Sequence, residues 1–483
     1  MMDAHSSPSA AMAAHRPAAP RNSMSEQVAD TAARRDVDVG DLINSRPLGF
    51  RQTMTLALCL LVVLLDGFDN QAIALLLSAM SHDLHIPLGR FGPVFGMAAI
   101  GMIASAIIIG PLADRFGRKR MLVGSTLCFG VGSLFTAYVH TLPELLTMRF
   151  VTGIGLGGVL PTVIAIAAEF SPKRLARTCI AVMVAGLPAG AMLGALTAPT
   201  LLHTHGWQAT YYLGGAAPVI VAIAVAVWMP ESVRHLIAHG APPARIAKVV
   251  RLIAPDINTD SVNLVSRDAL VDQPRDGQRI GAREIFTGGR AWATIFLWVP
   301  YFTNMMVVYF SISWLPSVIV ASGRSSSLST AATAAFAFGG ILGSLGQGPL
   351  MNRLGPAPVL ITQCGLAALY AFLLGTTHPG AIVIIVATAI AGCALLGVQA
   401  GLNALAAETY PTSIRATGAG WALGAGRLGS IAGPLLGGAM MAAQWDTQQI
   451  FQATAVPSLI AVAAIYFGRR NQRKRQMKRF CEE

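Results

Sequence analysis

Twelve apolar stretches, each of roughly 20 residues or more, divide this chain of 483 residues. An α-helix rises about 1.5 Å per residue, so such a stretch crosses the ~30 Å hydrocarbon core of a bilayer. Only 12% of the residues are charged, about half the share of a soluble chain. The pattern excludes an ordinary soluble enzyme and predicts an all-α membrane protein. The predicted spans lie near 54–79, 91–113, 121–139, 143–168, 178–202, 208–229, 291–316, 329–350, 357–376, 380–406, 416–442 and 449–467.

A polar segment at 230–290 separates the first six spans from the last six. We therefore expect two six-helix bundles, at 51–229 and 291–467, joined by a cytoplasmic linker. Residues 1–50 are rich in Ala, Ser and Pro and contain no apolar core segment, which predicts a disordered cytoplasmic tail rather than a signal peptide. Residues 468–483 are expected to form a basic cytoplasmic tail.

The net charge of +12 at first suggests a nucleic-acid partner. The basic residues, however, lie in short clusters between apolar segments, without interleaved aromatic residues. With the N-terminus inside, 31 of the 35 Lys and Arg residues are cytoplasmic. By the positive-inside rule this predicts a multi-pass protein of the cytoplasmic (inner) membrane with both termini in the cytoplasm, surrounded by lipid and not bound to nucleic acid.

The two halves repeat each other. The segment from Gly110 to Gly117 (GPLADRFG) corresponds to the segment from Gly348 to Gly355 (GPLMNRLG) at an offset of 238 residues. The run Ala167-Ala168-Glu169 corresponds to Ala406-Ala407-Glu408 at an offset of 239. Two equivalent loops at nearly one offset indicate duplicated bundles, a plan in which substrate binds at the midplane between the halves.

No metal site or cofactor is expected, apart from a proton as coupling ion. The six cysteines show no paired spacing, and five of them lie in or beside apolar runs, as small core residues do. The sequence contains no P-loop motif, so we do not expect transport to be driven by ATP.

The loop from Gly110 to Arg120 (GPLADRFGRKR) resembles the signature of the major facilitator superfamily. Two further segments resemble the aromatic acid/proton symporter family. They are Asp66-Gly67-Phe68-Asp69 and the run from Tyr410 to Arg427. The resemblance implies the major facilitator fold and the import of benzoate-like or hydroxybenzoate-like anions together with a proton.

The same resemblance implies a set of functionally required residues. They are Asp66, Asp69, Gly110, Asp114, Arg149, Glu169, Arg415 and Arg427. The family usually carries an aspartate and a histidine in its second loop, where this chain has Asn352 and Ala357.

Charged side chains inside the spans are the first candidates for function, because each costs at least ~2.5 kcal/mol in the hydrocarbon core. No His or Lys falls inside a span, so a proton carrier must be a carboxylate, and Asp66 and Asp69 lie well inside. They share one helix face, being three residues apart. We predict proton coupling by at least one of them; the alternative is that one caps an unwound turn or pairs with an arginine.

Two arginines lie inside spans. Arg427 is predicted at the depth of Asp66 but in the opposite half, where its guanidinium would bind a substrate carboxylate through two parallel N–H groups. The alternative is an ion pair that only holds helices together. Arg149 is predicted to lie at a depth from which it can reach Asp69. Its role is therefore either a structural ion pair with Asp69 or a contact to the substrate.

Aromatic and polar side chains near these charges are candidates to hold a substrate ring, although ordinary helix packing also explains them. They are Tyr301, Asn304, Tyr309, Asn403 and Trp421. A second group lies at the cytoplasmic ends of the helices and is predicted to form an inner gate, against the alternative that it only sets topology. It comprises Gly110, Asp114, Arg115, Gly117, Arg118, Lys119, Glu169, Glu408 and Arg415. We expect Glu169 and Glu408 to pair with arginines of this group.

The sequence therefore predicts a monomeric proton-coupled importer of a small aromatic carboxylate. Three alternatives stay open: an exporter, a carrier of another organic anion, and a membrane receptor that binds without transporting.

Overall fold

A computed structural model describes residues 35–254, 262–265, 285–287, 291–376, 379–410 and 414–482. Within these ranges, twelve helices of 19 residues or more are numbered α1 to α12. They are Phe50–Asp83, Gly92–Phe116, Arg118–Thr136, Leu142–Phe170, Lys173–His205, Trp207–Trp228, Ala291–Ala321, Ser326–Leu354, Pro356–Thr376, Ala381–Thr409, Arg415–Ala442 and Thr447–Glu482.

Each predicted span coincides with one of these helices. Among the described residues, ten of the twelve helices are long and apolar enough to cross a membrane. The other two, α3 and α11, are rich in Gly and pack against apolar neighbours, α3 against α4 and α6, and α11 against α7 and α2. The twelve-helix arrangement predicted from the sequence is therefore the observed one.

The helices run alternately up and down, so the molecule has two distinct ends. The basic end carries the tight connections at Gly117 and at Ser171–Pro172, together with the short helices Val233–Ala238 and Pro243–Ile253 of the linker. The opposite end, called the far end here, carries the connections between α1 and α2 and between α7 and α8.

The buried apolar residues show how the two halves meet. One large cluster at the far end takes residues from both halves, for example Leu77 and Phe95 from the first half and Trp314 and Phe336 from the second. Toward the basic end, one cluster contains residues of the first half only and another contains residues of the second half only. The halves therefore share a core at the far end and have separate cores at the basic end.

Residues 35–44 differ from the expectation that all of 1–50 is a disordered tail. Arg35–Asp38 forms a strand that pairs in parallel with Val262–Val265, and Val39–Asn44 forms a short helix. The apolar face of that helix packs on the linker helices, with Val39, Leu42 and Ile43 in one buried cluster with linker residues. Enough apolar surface is buried here to order this part of the segment.

Candidate functional site

Asp69 lies at the centre of a buried polar group in the first half. Its Oδ1 accepts a hydrogen bond of 2.6 Å from the Ser133 hydroxyl, and its Oδ2 lies 3.3 Å from Nη1 of Arg149. The Arg149 guanidinium also lies over the Tyr211 ring, 5.1 Å from the centroid. Asp69 and Arg149 are almost completely buried. Arg149 therefore reaches Asp69 and forms an ion pair that connects α4 to α1. The hydrogen bond from Ser133 adds α3 to this contact.

This ion pair leaves part of the guanidinium unused. Nε and Nη2 of Arg149 are buried and donate no hydrogen bond within the described part of the chain. A buried donor without a partner is unfavourable by about 1–3 kcal/mol. Arg149 can therefore accept a further oxygen ligand without releasing Asp69.

Asp66 lies one helical turn before Asp69 and has a different environment. Its side chain is buried, and it makes no hydrogen bond or ion pair to the described residues. The charges of Asp69 and of Arg427 are the ones that act on it, with opposite signs. The two aspartates are therefore not equivalent: Asp69 is held by donors, and Asp66 is not.

Arg427 on α11 reaches from the second half toward the first. Its Nη1 lies 3.7 Å from the sulfur of Met102 on α2, and it has no carboxylate partner among the described residues. Met102 also borders the cavity beside Asp69 and Arg149. Arg427 of the second half therefore lies against a residue of the cavity wall without bordering the cavity itself.

This cavity has a volume of about 20 Å³, enough for about one water molecule. Asp69 and Arg149 are the charged residues of its lining, and Tyr309 is contributed by the second half. The rest of the lining is mostly apolar: Ile73, Phe95, Ala98, Ala99, Met102 and Leu156, with the polar residues Asn70 and Ser313. The cavity thus combines a charged wall with a mostly apolar lining, and in this conformation its volume is smaller than that of a small-molecule site, which is about 300–1,000 Å³.

Three residues predicted to contact substrate do not border this cavity: Arg427, Asn304 and Trp421. Asn304 is buried, and its amide donates to the carbonyl of Leu395 and to the side chain of Gln399, so it serves the contact between α7 and α10. Trp421 is half-exposed and stacks on Trp298, with the ring centroids 6.1 Å apart, about 9 Å into α11 from the basic end. Periodicity alone could not show which helix faces these side chains occupy.

Tyr301 and Asn403 form a hydrogen bond of 2.8 Å with each other, between α7 and α10. Neither residue borders the central cavity. Of the five ring-holding candidates, Tyr309 is therefore the one that the structure brings to the charged groups.

The basic end holds the predicted gate residues. Nε of Arg118 lies 2.7 Å from Oε1 of Glu169, which is the predicted type of pairing between α3 and α4. Arg115 lies over the ring of Phe116. The described part of the structure does not include the surroundings of Gly110 or the side chains of Asp114, Glu408 and Arg415. Their role in the gate stays a prediction.

Glu231, at the start of the linker, is a residue that the sequence reasoning missed. Its Oε1 accepts from the backbone N–H of Lys119 at 3.2 Å. Gly117 has a φ of +97°, and a side chain at this position would meet the carboxylate of Glu231. Ser133, Tyr211 and Met102 were also missed, because single serine, tyrosine or methionine residues in apolar runs carry no distinguishing pattern.

With the geometry known, comparison with known proteins identifies the family. The family model described as Major Facilitator Superfamily matches residues 59–429, with a second match at 325–480. The chain belongs to the Major Facilitator Superfamily. It is therefore a membrane transport protein and not an enzyme, as the sequence predicted.

Three relatives cover nearly the whole chain. The 4-hydroxybenzoate transporter PcaK of Pseudomonas putida is 34% identical over 437 residues, which are 90% of this chain and 97% of PcaK. The gallate transporter of Pseudomonas putida is 33% identical, covering 89% and 94% of the two chains. The 3-(3-hydroxy-phenyl)propionate transporter of Escherichia coli is 33% identical, covering 86% and 94%. The resemblance to aromatic acid transporters is confirmed.

Solved structures agree in fold. The inward open conformation of the xylose transporter XylE from Escherichia coli has a TM-score of 0.68 at 17% identity, covering 86% of this chain and 95% of XylE. A bacterial homologue of the human lysosomal transporter Spinster, in an inward-facing and occupied conformation, has a TM-score of 0.62 at 18% identity, covering 86% and 97%.

Proposed function

We propose that this protein imports a small aromatic carboxylate together with a proton by alternating access. The observation that carries the proposal is a largely apolar cavity between the halves that Asp69 and Arg149 line. Arg427 of the second half contacts Met102 in the wall of this cavity, and its charge acts on Asp66. The names of the relatives support the substrate class, since they transport 4-hydroxybenzoate, gallate and 3-(3-hydroxy-phenyl)propionate.

Arg427 is the proposed receptor for the substrate carboxylate. It has no acidic partner among the described residues, so an incoming anion need not displace a protein carboxylate. A guanidinium offers two parallel N–H groups to a carboxylate, a geometry that a lysine cannot reproduce. The free Nε and Nη2 of Arg149 provide a second contact from the opposite half.

Asp66 is the proposed proton carrier, and Asp69 is a fixed anion. Asp69 is held in place because Ser133 and Arg149 both donate to it. Asp66 has no such donors among the described residues, and a buried carboxylate without a partner is costly in its charged form. This assignment narrows the sequence prediction, which left the choice between the two aspartates open.

In this proposal Arg427 couples the two events because its charge acts both on Asp66 and on the substrate carboxylate. While the site is empty, the positive charge of Arg427 acts on Asp66. A substrate carboxylate on Arg427 neutralises that charge and leaves Asp66 next to a second anion. Asp66 then takes up a proton, so substrate and proton bind and leave together.

The orientation of the protein in the membrane decides which side each end of the molecule faces. If the basic end is cytoplasmic, as the positive-inside rule predicts, the far end faces the periplasmic side, where the two halves share one core. The described conformation is then closed toward the periplasmic side, and its central cavity has space for about one water molecule. Both halves of the site come from one chain, so we propose a monomer in the inner membrane with cytoplasmic termini.

Binding by the purified protein tests the role of Arg427. Arg427→Lys keeps the charge but loses the paired contact, which is worth roughly 1.5–3 kcal/mol, so affinity for radiolabelled 4-hydroxybenzoate should fall about tenfold or more. Arg427→Ala should bind more weakly still. The matched control is Arg90→Lys, at an exposed far-end position, and unchanged affinity of folded Arg427→Lys would remove Arg427 from the site.

Transport itself is tested in proteoliposomes that contain the wild-type protein. An inward proton gradient should drive accumulation of labelled 4-hydroxybenzoate, and a protonophore should abolish it. An exporter would empty preloaded vesicles instead, and a receptor would do neither.

A further inference from the structure

A second cavity lies at the far end, within the second half alone. Its volume is about 420 Å³, within the range of about 300–1,000 Å³ that small-molecule sites occupy. Its floor is apolar and buried, formed by Ile319, Leu374, Ile384 and Phe451. It is separated from the central cavity, with which it shares no lining residue.

The rim of this cavity is polar and carries one arginine. Nη2 of Arg324 donates to the carbonyl of Pro379 at 2.8 Å, which fixes the guanidinium at the edge of the cavity. Ser322, Thr447 and Gln448 also belong to the rim, and the exposed Asp446 stands there as well. The cavity thus combines an apolar floor, a fixed cation, hydroxyl groups and one carboxylate.

We propose that this cavity is a second binding site for an aromatic carboxylate with a hydroxylated ring, which it captures before the substrate reaches the central site. The ring would cover the apolar floor, and its carboxylate would bind the guanidinium of Arg324. Asp446 repels the carboxylate of either ligand, but it accepts a hydrogen bond from a ring hydroxyl, which benzoate lacks. The site therefore prefers hydroxybenzoates to benzoate.

Capture at this site requires that the far end faces the outside, so the inference rests on the proposed function. All of the lining belongs to one half, so relative motion of the halves leaves the site intact. It is available to external substrate while the central site is closed to that side. Its loss should raise the KM for uptake and leave efflux from the inside unchanged.

The variant Arg324→Gln separates binding from a structural role. A glutamine can still donate to the carbonyl of Pro379, but it has lost the charge that binds a carboxylate. Arg90→Gln is the matched control, because it removes a positive charge from the other arginine of the far-end loops. Asp446→Asn tests the preference for a ring hydroxyl.

In proteoliposomes, Arg324→Gln should raise the KM for external 4-hydroxybenzoate about tenfold, as expected for a lost charge-assisted hydrogen bond. Arg90→Gln should leave this KM within about twofold, since exposed charges contribute little. Asp446→Asn should reduce the preference for 4-hydroxybenzoate over benzoate. An unchanged KM in Arg324→Gln, or an equal rise in both arginine variants, would overturn the proposal.

Equilibrium binding of labelled 4-hydroxybenzoate distinguishes this proposal from the proposed function. Purified Arg427→Ala should retain one weak site per chain, and Arg324→Gln in the same background should abolish it. If the wild type binds at a single site that Arg427→Ala removes completely, the far-end site is wrong and the proposed function stands. If the wild type binds no 4-hydroxybenzoate at all, both are wrong.

Discussion

Asp66 and Asp69 have different environments at the level of single residues, although the sequence presents them as a pair. Two donors hold Asp69, the hydroxyl of Ser133 on α3 and the guanidinium of Arg149 on α4. Asp66, on the same helix face, makes no hydrogen bond to the described part of the chain and experiences the charges of Asp69 and Arg427. Their substitutions should therefore fail in different ways.

Asp66→Asn should abolish accumulation driven by a proton gradient, because an amide cannot carry the proton, while exchange of substrate across the membrane continues. Asp69→Asn should instead lower the amount of folded protein, because it leaves Arg149 as a buried charge, and breaking a buried pair costs about 3–5 kcal/mol. Parallel assays of gradient-driven uptake, of exchange and of protein level check both. Full accumulation by Asp66→Asn would contradict the assignment.

Ser133 and Ser125 are a matched pair for testing the hydrogen bond that the Ser133 hydroxyl donates to Asp69. Both are buried on α3, but Ser133 donates to Asp69 whereas the Ser125 hydroxyl has no partner among the described groups. Ser133→Ala should destabilise the protein by about 1–3 kcal/mol, and Ser125→Ala should not. The apparent Tm in detergent measures both effects. Equal changes in Tm would show that the hydrogen bond to Asp69 does not stabilise the protein.

At the level of whole helices, the far-end contact between α2 and α11 depends on glycine. A Cβ at Gly92 would lie 3.0 Å from the carbonyl oxygen of Pro434, and one at Gly438 would lie 2.8 Å from that of Gly89. The backbones approach closely because these positions carry no side chains. Trp314 adds a hydrogen bond of 3.0 Å to the carbonyl of Pro434.

Gly438→Leu should therefore keep the far end open and stop the transport cycle. In a background whose six cysteines are replaced, Ser313→Cys at the central cavity should react faster with a membrane-impermeant maleimide applied from the far end. Gly420→Leu on the same helix is the control, because a Cβ there has no atom within 4 Å. Equal labelling in the two variants would contradict a glycine-dependent closure.

For the whole molecule, the apolar runs were enough to predict the number and order of the helices. The predicted span 91–113 became Gly92–Phe116, and the predicted span 291–316 became Ala291–Ala321. The spacing of Val39, Leu42 and Ile43 could have revealed the ordered part of the N-terminal segment, because it places three apolar residues on one helix face.

The candidate site was only partly predictable. Depth along a helix follows from residue number, which is why Arg149 could be expected to reach Asp69 and Arg427 to match Asp66. The direction in which a side chain points depends on helix packing, which a hydrophobic run does not encode. Asn304, Trp421 and the missed Ser133 all illustrate this limit.

Alternating access requires the shared far-end core to separate in every cycle, which leads to a prediction for the whole molecule. A Cβ at Gly89 would lie 2.7 Å from the Cβ of Ala442, across the contact between the halves. A disulfide between Gly89→Cys and Ala442→Cys, in the cysteine-free background, should therefore block uptake while the site stays open to the basic end. Reduction should restore transport.

The control disulfide joins Gly375→Cys and Gln452→Cys, which lie at the same end but within one half. A Cβ at Gly375 would be 2.7 Å from Cγ of Gln452. That bond does not span the interface, so uptake should continue after oxidation. Radiolabelled 4-hydroxybenzoate uptake before and after reduction measures both pairs, and normal transport by the fully oxidised Gly89–Ala442 pair would mean that the halves do not separate at the far end.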